Sequence, residues 1–299
     1  MQTWTTWRMA RNASLAGVLA MLTLLAPIEV AAQELVRIPT IAPNAGRDIV
    51  EGSLAYPSSA DAVKPFPAVI LLHAGGGWEV PVTGQYATAL NRAGFVTLEL
   101  RLFRNEAERA PSRMGYLQNL YDALRFLGEQ KDVNADRVSV AGYSFGGILA
   151  LTSATSWAYE RFARSTGPRF AAHAPFYPIC YQYAAFARAG RPTADLPADL
   201  LARWTGAPVR IFAGGRDDYD DRDPRACEEF VSLIPEPNRA KFSVTVYSDA
   251  THGWDQPNAT FFEKLACKGR GCTNRNVASP SITERSVADL VAFLAAFGR

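Results

Sequence analysis

The run Val140–Gly147, V-A-G-Y-S-F-G-G, sets one serine, Ser144, between glycines two residues to either side. A serine hydroxyl is a poor nucleophile at neutral pH; it needs a base, and the base needs a carboxylate to orient it. The chain has only three histidines. His252, in D-A-T-H-G-W-D, follows a strand-like run ending at Tyr247 and enters a loop of small and polar residues, which makes it the expected base. His73 ends a buried apolar run and leads into A-G-G-G-W, whereas His173, in F-A-A-H-A-P, reads as a hydrogen-bonded, partly buried residue of another strand. For the acid, I-F-A-G-G-R-D-D-Y places Asp217 at the end of the strand before that of His252, and Asp217 is favoured over its neighbour Asp218.

Attack by Ser144 on a carbonyl creates an oxyanion that needs preorganised N–H donors. The amide of Phe145 is one expected donor. The amide of Gly75 is the second, because a loop without side chains lets backbone come close to substrate. G-x-S-x-G alone also fits an ordinary glycine-rich junction, and H-A-G-G-G-W alone a surface turn. Taken with the chain order Ser144, Asp217, His252, they match the arrangement of α/β-hydrolases rather than the orders of chymotrypsin-like or subtilisin-like enzymes.

These residues require strands to present them. Short apolar runs at Phe66–His73, Phe95–Leu100, Arg137–Gly142, Pro208–Ala213 and Lys241–Tyr247 have the length and β-branched content of buried strands. Helix-like stretches lie between them at Gly84–Arg92, Gly115–Gln130, Phe145–Thr155 and Pro224–Leu233. This alternation predicts a mostly parallel sheet with helices on both faces. Arg47–Tyr56 reads as an edge strand, and S-I-T-E at Ser281–Glu284 as a capping box opening a last, structural helix with Val287, Leu290, Val291 and Leu294 on its apolar stripe.

Among the 299 residues, 1–32 read as a secretory signal: Arg8 and Arg11, an apolar run from Leu15 to Leu25, then Val30-Ala31-Ala32 before Gln33. An uncleaved anchor is the alternative; Pro27 and Glu29 cut the apolar run short. Residues 33–299 are then expected to form one domain, periplasmic or secreted, without stable membrane association after cleavage. With 31 basic against 29 acidic side chains and no basic stripe, nucleic acid is not expected as a partner. The four cysteines fall in the exported part, where thiols become oxidised; the favoured pairing is Cys267–Cys272, around the tight K-G-R-G loop, with Cys180–Cys227. There is no C-x-x-C pair for zinc, and D-D-Y-D-D-R-D lacks the glycine and distal glutamate of an EF-hand loop, so neither a metal nor another cofactor is expected.

L-L-H-A-G-G-G, R-V-S-V-A-G-Y-S-F-G-G, F-Y-P-I-C, G-G-R-D-D-Y and A-T-H-G-W-D together resemble the dienelactone hydrolase family, from about Ile49 to Phe297. The resemblance implies an eight-stranded α/β-hydrolase core with little or no lid and a Ser144, Asp217, His252 triad. It implies hydrolysis of a small ester or lactone, with one departure: the founding members use a cysteine nucleophile. Trp78, Arg104 and Tyr181 are expected to touch substrate, with Arg101 and the aromatic- and arginine-rich stretch Tyr177–Trp204, which includes Arg191, near them; the arginines also fit a solvated surface. A prolyl-oligopeptidase-like peptidase is the second enzymatic reading, but once residues 1–32 are removed only about 35 residues precede the first buried strand. A non-catalytic binding protein on a hydrolase scaffold is the third.

Overall fold

The computed structural model describes residue 1 and residues 33–44, 47–57, 62–163, 167–190 and 196–297. The expected signal segment, apart from Met1, and Arg191 lie outside the described residues. Strands β1 (Gln33–Asn44) and β2 (Arg47–Ala55) form an antiparallel hairpin that precedes β3 (Phe66–Leu72). Helix α1 (Thr83–Arg92) then leads to β4 (Val96–Arg101), and α2 (Met114–Gly128) to β5 (Val133–Tyr143). Helices α3 (Phe145–Thr152) and α4 (Ser156–Phe162) precede β6 (His173–Phe176), and α5 (Cys180–Ala189) precedes β7 (Val209–Gly214). Helix α6 (Ala226–Ser232) joins β7 to β8 (Phe242–Tyr247). A small hairpin, β9 (Ala259–Glu263) and β10 (Cys272–Asn276), encloses the single turn α7 (Ala266–Gly269), and α8 (Pro280–Ala295) ends the fold.

The main sheet has eight strands in the order β1-β2-β4-β3-β5-β6-β7-β8. Its first two pairings are antiparallel and the others parallel, so the mostly parallel eight-stranded sheet of the α/β-hydrolase fold is present. The central strand β3 shows why its sequence reads as one apolar run. Ala68, Ile70 and Leu72 pack into the core beneath α2 and α4, while Val69 and Leu71 face α1 and α8. A strand covered on both faces has no side left for polar residues. Among the described residues no helix is long and apolar enough to cross a membrane.

Arg47–Tyr56 is not the edge strand expected, since β2 pairs with β1 on one side and β4 on the other, and β1 is the edge. Three further local features differ from the sequence reading. Helix α8 begins at Pro280, with Ser279 as the cap residue and no side-chain cap bond, so Ser281 sits inside the first turn and the S-x-x-E box does not form. Proline preset for the first helical position fixes the start two residues early. β1 has no clear alternation, carries Pro39 and leaves Leu35 exposed at a sheet edge, so pattern alone missed it. The β9–β10 hairpin was missed because Phe261 and Phe262 are both exposed, which removes the period-two signal.

Candidate active site

Strands β5, β7 and β8 run parallel, and the segments leaving their C-terminal ends carry Ser144, Asp217 and His252. In open α/β sheets ligands bind at that edge. Ser144 occupies the one-residue bend between β5 and α3 with φ 50° and ψ −108°, a backbone state that side-chain-bearing residues hold only under constraint. The constraint is visible: its N–H donates to Phe176 O at 3.0 Å, and its carbonyl accepts from Ile148 N–H at 2.9 Å. A Cβ on Gly142 would lie 2.1 Å from Gly146 O, and one on Gly146 would lie 2.3 Å from Leu72 O. The flanking glycines are therefore demanded by backbone packing on both sides of the bend. Gly146→Ala must push α3 off β3; we expect a loss of about 3 kcal/mol or more, read as a Tm lower by roughly 6 to 12 °C in a thermal melt.

Ser144 Oγ lies 2.8 Å from His252 Nε2, and His252 Nδ1 lies 2.8 Å from Asp217 Oδ2. A carboxylate only accepts, so Nδ1 carries the proton and Nε2 is left to accept the serine hydroxyl. The other Asp217 oxygen accepts the Tyr219 N–H at 2.8 Å, which fixes the carboxylate's orientation. The imidazole is walled by the Tyr219 ring at 4.3 Å and the Tyr177 ring at 4.9 Å. Backbone bonds tie the two loops together, Gly215 N–H to Tyr247 O and Arg216 N–H to Ala250 O, both 2.8 Å.

Asp218, the alternative acid, points elsewhere: it accepts from Arg222 Nε at 2.7 Å and from the Arg275 N–H of β10 at 2.9 Å. The rest of the acidic run is equally engaged. Asp220 accepts the Tyr181 and Cys180 amides that open α5, while Asp221 pairs with Arg270 and Asp223 with Lys268. Burial, with Asp217's charge next in weight, pushes Asp220 up to about 7. The run thus fastens the β9–β10 hairpin and α5 to the site. Both expected disulfides, Cys180–Cys227 and Cys267–Cys272, are present and brace the same two pieces.

The other histidines are structural. His73 donates from Nδ1 to Ala74 O at 2.9 Å and accepts the Leu102 N–H on Nε2 at 3.1 Å. Burial lowers it to about 4, so it stays neutral and can do both. It binds the end of β3 to the end of β4 and thereby sets the course of Gly75–Gly77. His173 is fully buried, contacts Ala150 O and Ser153 Oγ at 3.1 Å, and is lowered by burial to about 3.

Phe145 opens α3, so its N–H has no acceptor within the helix. Gly75 lies beside it: a Cβ there would be 3.9 Å from Phe145 Cβ. Both border a cleft of about 380 Å³ with Ser144, Tyr219, Ile148, Ile179, Leu265, Glu106, Glu263, Arg109 and Arg113. None of Trp78, Arg104 and Tyr181 borders it. Gly77, at φ 93°, turns the chain so that Trp78 packs under the Arg101 guanidinium, 4.5 Å away, and lines a separate cavity with Arg101. Arg104 is exposed and pairs with Glu79 at 2.7 Å, and the Tyr181 hydroxyl donates to Leu265 O at 2.8 Å. Arg109 and Arg113, not selected from sequence, are the cleft's cations; they lie in a polar stretch after β4 that offered no periodicity to aim them.

The dienelactone hydrolase family matches residues 50–296, most of the chain. The chain belongs to that family. It is thus a carboxylic ester hydrolase. No curated protein sequence matches it significantly. Among solved structures it is similar to esterase 2 of Thermogutta terrifontis phosphoramylated by tabun, at 14% identity and a TM-score of 0.62 over 89% of this chain and 95% of that one. It is also similar to a putative dienelactone hydrolase from Klebsiella pneumoniae, at 15% identity and a TM-score of 0.54 over 88% and 99%. A third is the 2,6-dihydroxy-pseudo-oxynicotine hydrolase, at 18% identity and 0.54 over 90% and 68%. At these identities the likeness is one of fold.

Proposed function

We propose that this dienelactone hydrolase family member is a serine esterase or lactonase that works through an acyl-enzyme on Ser144. The observation that carries the reading is the unbroken line Ser144 Oγ, His252 Nε2, His252 Nδ1, Asp217 Oδ2, with both gaps at 2.8 Å. Ser144 Oγ attacks the ester carbonyl carbon while Nε2 takes its proton, and Asp217 steadies the imidazolium. The carbonyl oxygen becomes an oxyanion held by the Phe145 and Gly75 N–H groups. Collapse expels the alcohol, which leaves with the proton from Nε2; in a lactone it stays tethered to the acyl group. Water then repeats the sequence on the acyl-enzyme, and the carboxylic acid departs.

A cleft of about 380 Å³ suits a small molecule rather than a long lipid chain. Arg109, paired with Glu106 at 3.1 Å, and Arg113 and Glu263 give it a lining of both signs, which favours substrates with a polar substituent. The chain functions as a single domain, residues 33–299, released from its signal into the periplasm or medium. Two disulfides, which persist in oxidising compartments, support that location.

The test is covalent labelling with a fluorophosphonate, followed by peptide mapping, beside turnover of short-chain p-nitrophenyl esters and a chromogenic proline peptide. We expect a single adduct on Ser144 and ester but not peptide turnover. Esterase 2 of Thermogutta terrifontis has also been solved phosphorylated by paraoxon, an organophosphorus reagent like the probe. A folded protein with neither adduct nor turnover is a binding scaffold instead, and one that cleaves only the peptide is a peptidase.

A further inference from the structure

Asp255, three residues beyond His252, is a buried carboxylate that the triad does not use. The Tyr177 hydroxyl donates to its Oδ1 at 2.5 Å and the Tyr86 hydroxyl to its Oδ2 at 2.7 Å. Behind these, Gln256 Nε2 donates to the Tyr177 oxygen at 3.2 Å, Ser286 Oγ lies 2.9 Å from the Tyr86 oxygen, and Trp254 Nε1 donates to Ser286 Oγ at 3.3 Å. Two chains of neutral donors thus converge on one carboxylate. No lysine or arginine pairs with it among the described residues. The ring of Tyr177, held by its hydroxyl, is the one that stands edge-on to His252, and its backbone is kept at φ 36°. A positive φ on an aromatic residue is costly and is kept where neighbours over-determine it.

We infer that Asp255 is a positioning residue for His252: through Tyr177 it fixes the wall against which the imidazole rests, and its buried charge favours the imidazolium formed during acyl transfer. The inference rests on the triad reading above. Burial raises the Asp255 carboxyl to about 6, while the Tyr177 and Tyr86 bonds and the nearby His252 oppose the rise, so it is ionised at pH 8. Groups on every packed element bear on the pair. They are Asp217, Tyr219 and Asp220 of the acid loop, Tyr86 of α1, Tyr143 of β5, Glu99 of β4 through Tyr143, Glu284 of α8 beside the same groove, and Arg109 through Tyr219. Most are neutral or anionic, so the cation they can favour is His252 itself.

The test needs no substrate. NMR of the imidazole protons reads the setting of the His252 ring, which lies 4.9 Å from the Tyr177 ring. In a Ser144→Ala background, adding Asp255→Asn should shift and broaden the His252 ring signals while those of His73 and His173 stay in place, since the Tyr177 ring that walls the imidazole is no longer held by its hydroxyl. In the active enzyme, Asp255→Asn should reduce kcat about tenfold, leave KM within about twofold, and move the acid limb of the kcat/KM profile to lower pH. Tyr177→Phe, which removes one oxygen, tests the same link if Asp255→Asn does not fold. Unchanged His252 ring signals and an unchanged acid limb, with only a lower Tm, overturn the inference and leave Asp255 a structural residue. Wild type without esterase activity sinks the triad reading instead, and the NMR result then stands or falls separately.

Discussion

Ser144→Ala is expected to cut kcat for a p-nitrophenyl ester by about 10,000-fold or more, while Tm stays within roughly 2 °C of wild type. The first number follows from what remains. Without Oγ the proposed acyl-enzyme cannot form, and only unassisted attack by water, aided by binding and the proposed oxyanion donors, is left. The second follows from the local geometry. The bend at φ 50° is held by backbone bonds to Phe176 and Ile148, and among the described residues the side chain's hydrogen bond is to His252. Alanine keeps those backbone bonds and adds no volume. Circular dichroism and a thermal melt beside the ester assay separate loss of chemistry from loss of fold. A mutant that retains more than a few per cent of wild-type kcat would move the nucleophile elsewhere.

The parts of the site that were legible from sequence are those fixed by backbone necessity. V-A-G-Y-S-F-G-G could be read because glycine at 142 and 146 is compulsory when helix and strand backbones approach so closely. The buried strands could be read because β3 has apolar neighbours on both faces. What stayed hidden depends on where loops send long side chains. Arg104 and Arg109 are alike in sequence, both in the polar segment after β4, yet only Arg109 reaches the cleft; Arg104 is drawn outward by Glu79. Trp78 follows the glycine run, where a substrate contact is expected, but after the turn at Gly77 it lines a separate cavity with Arg101. Asp255 was visible as a letter in A-T-H-G-W-D, and its role needed Tyr86 and Tyr177, which come from two distant elements.

Asp217 and Asp218 are the pair for which sequence offers least and geometry most, and their substitutions should part company. Asp217→Asn is expected to lower kcat about 10,000-fold with little change in Tm. An asparagine has one acceptor oxygen for two donors, His252 Nδ1–H and the Tyr219 N–H, where aspartate had two oxygens. If the amide nitrogen turns toward His252, Nδ1 must accept, the proton moves to Nε2, and the imidazole can no longer take the Ser144 proton. Asp218→Asn does nothing to that tautomer. Its carboxylate holds Arg222 and the Arg275 N–H, so its loss loosens β10 and the hairpin above the cleft. We expect a kcat within about threefold of wild type and a stability lower by about 1 to 3 kcal/mol. Steady-state kinetics at pH 8 with a denaturant melt of each variant decides the matter. The reverse pattern, a catalytic collapse at Asp218 and a mild effect at Asp217, would mean that the working enzyme rotates its acid loop away from the arrangement seen here.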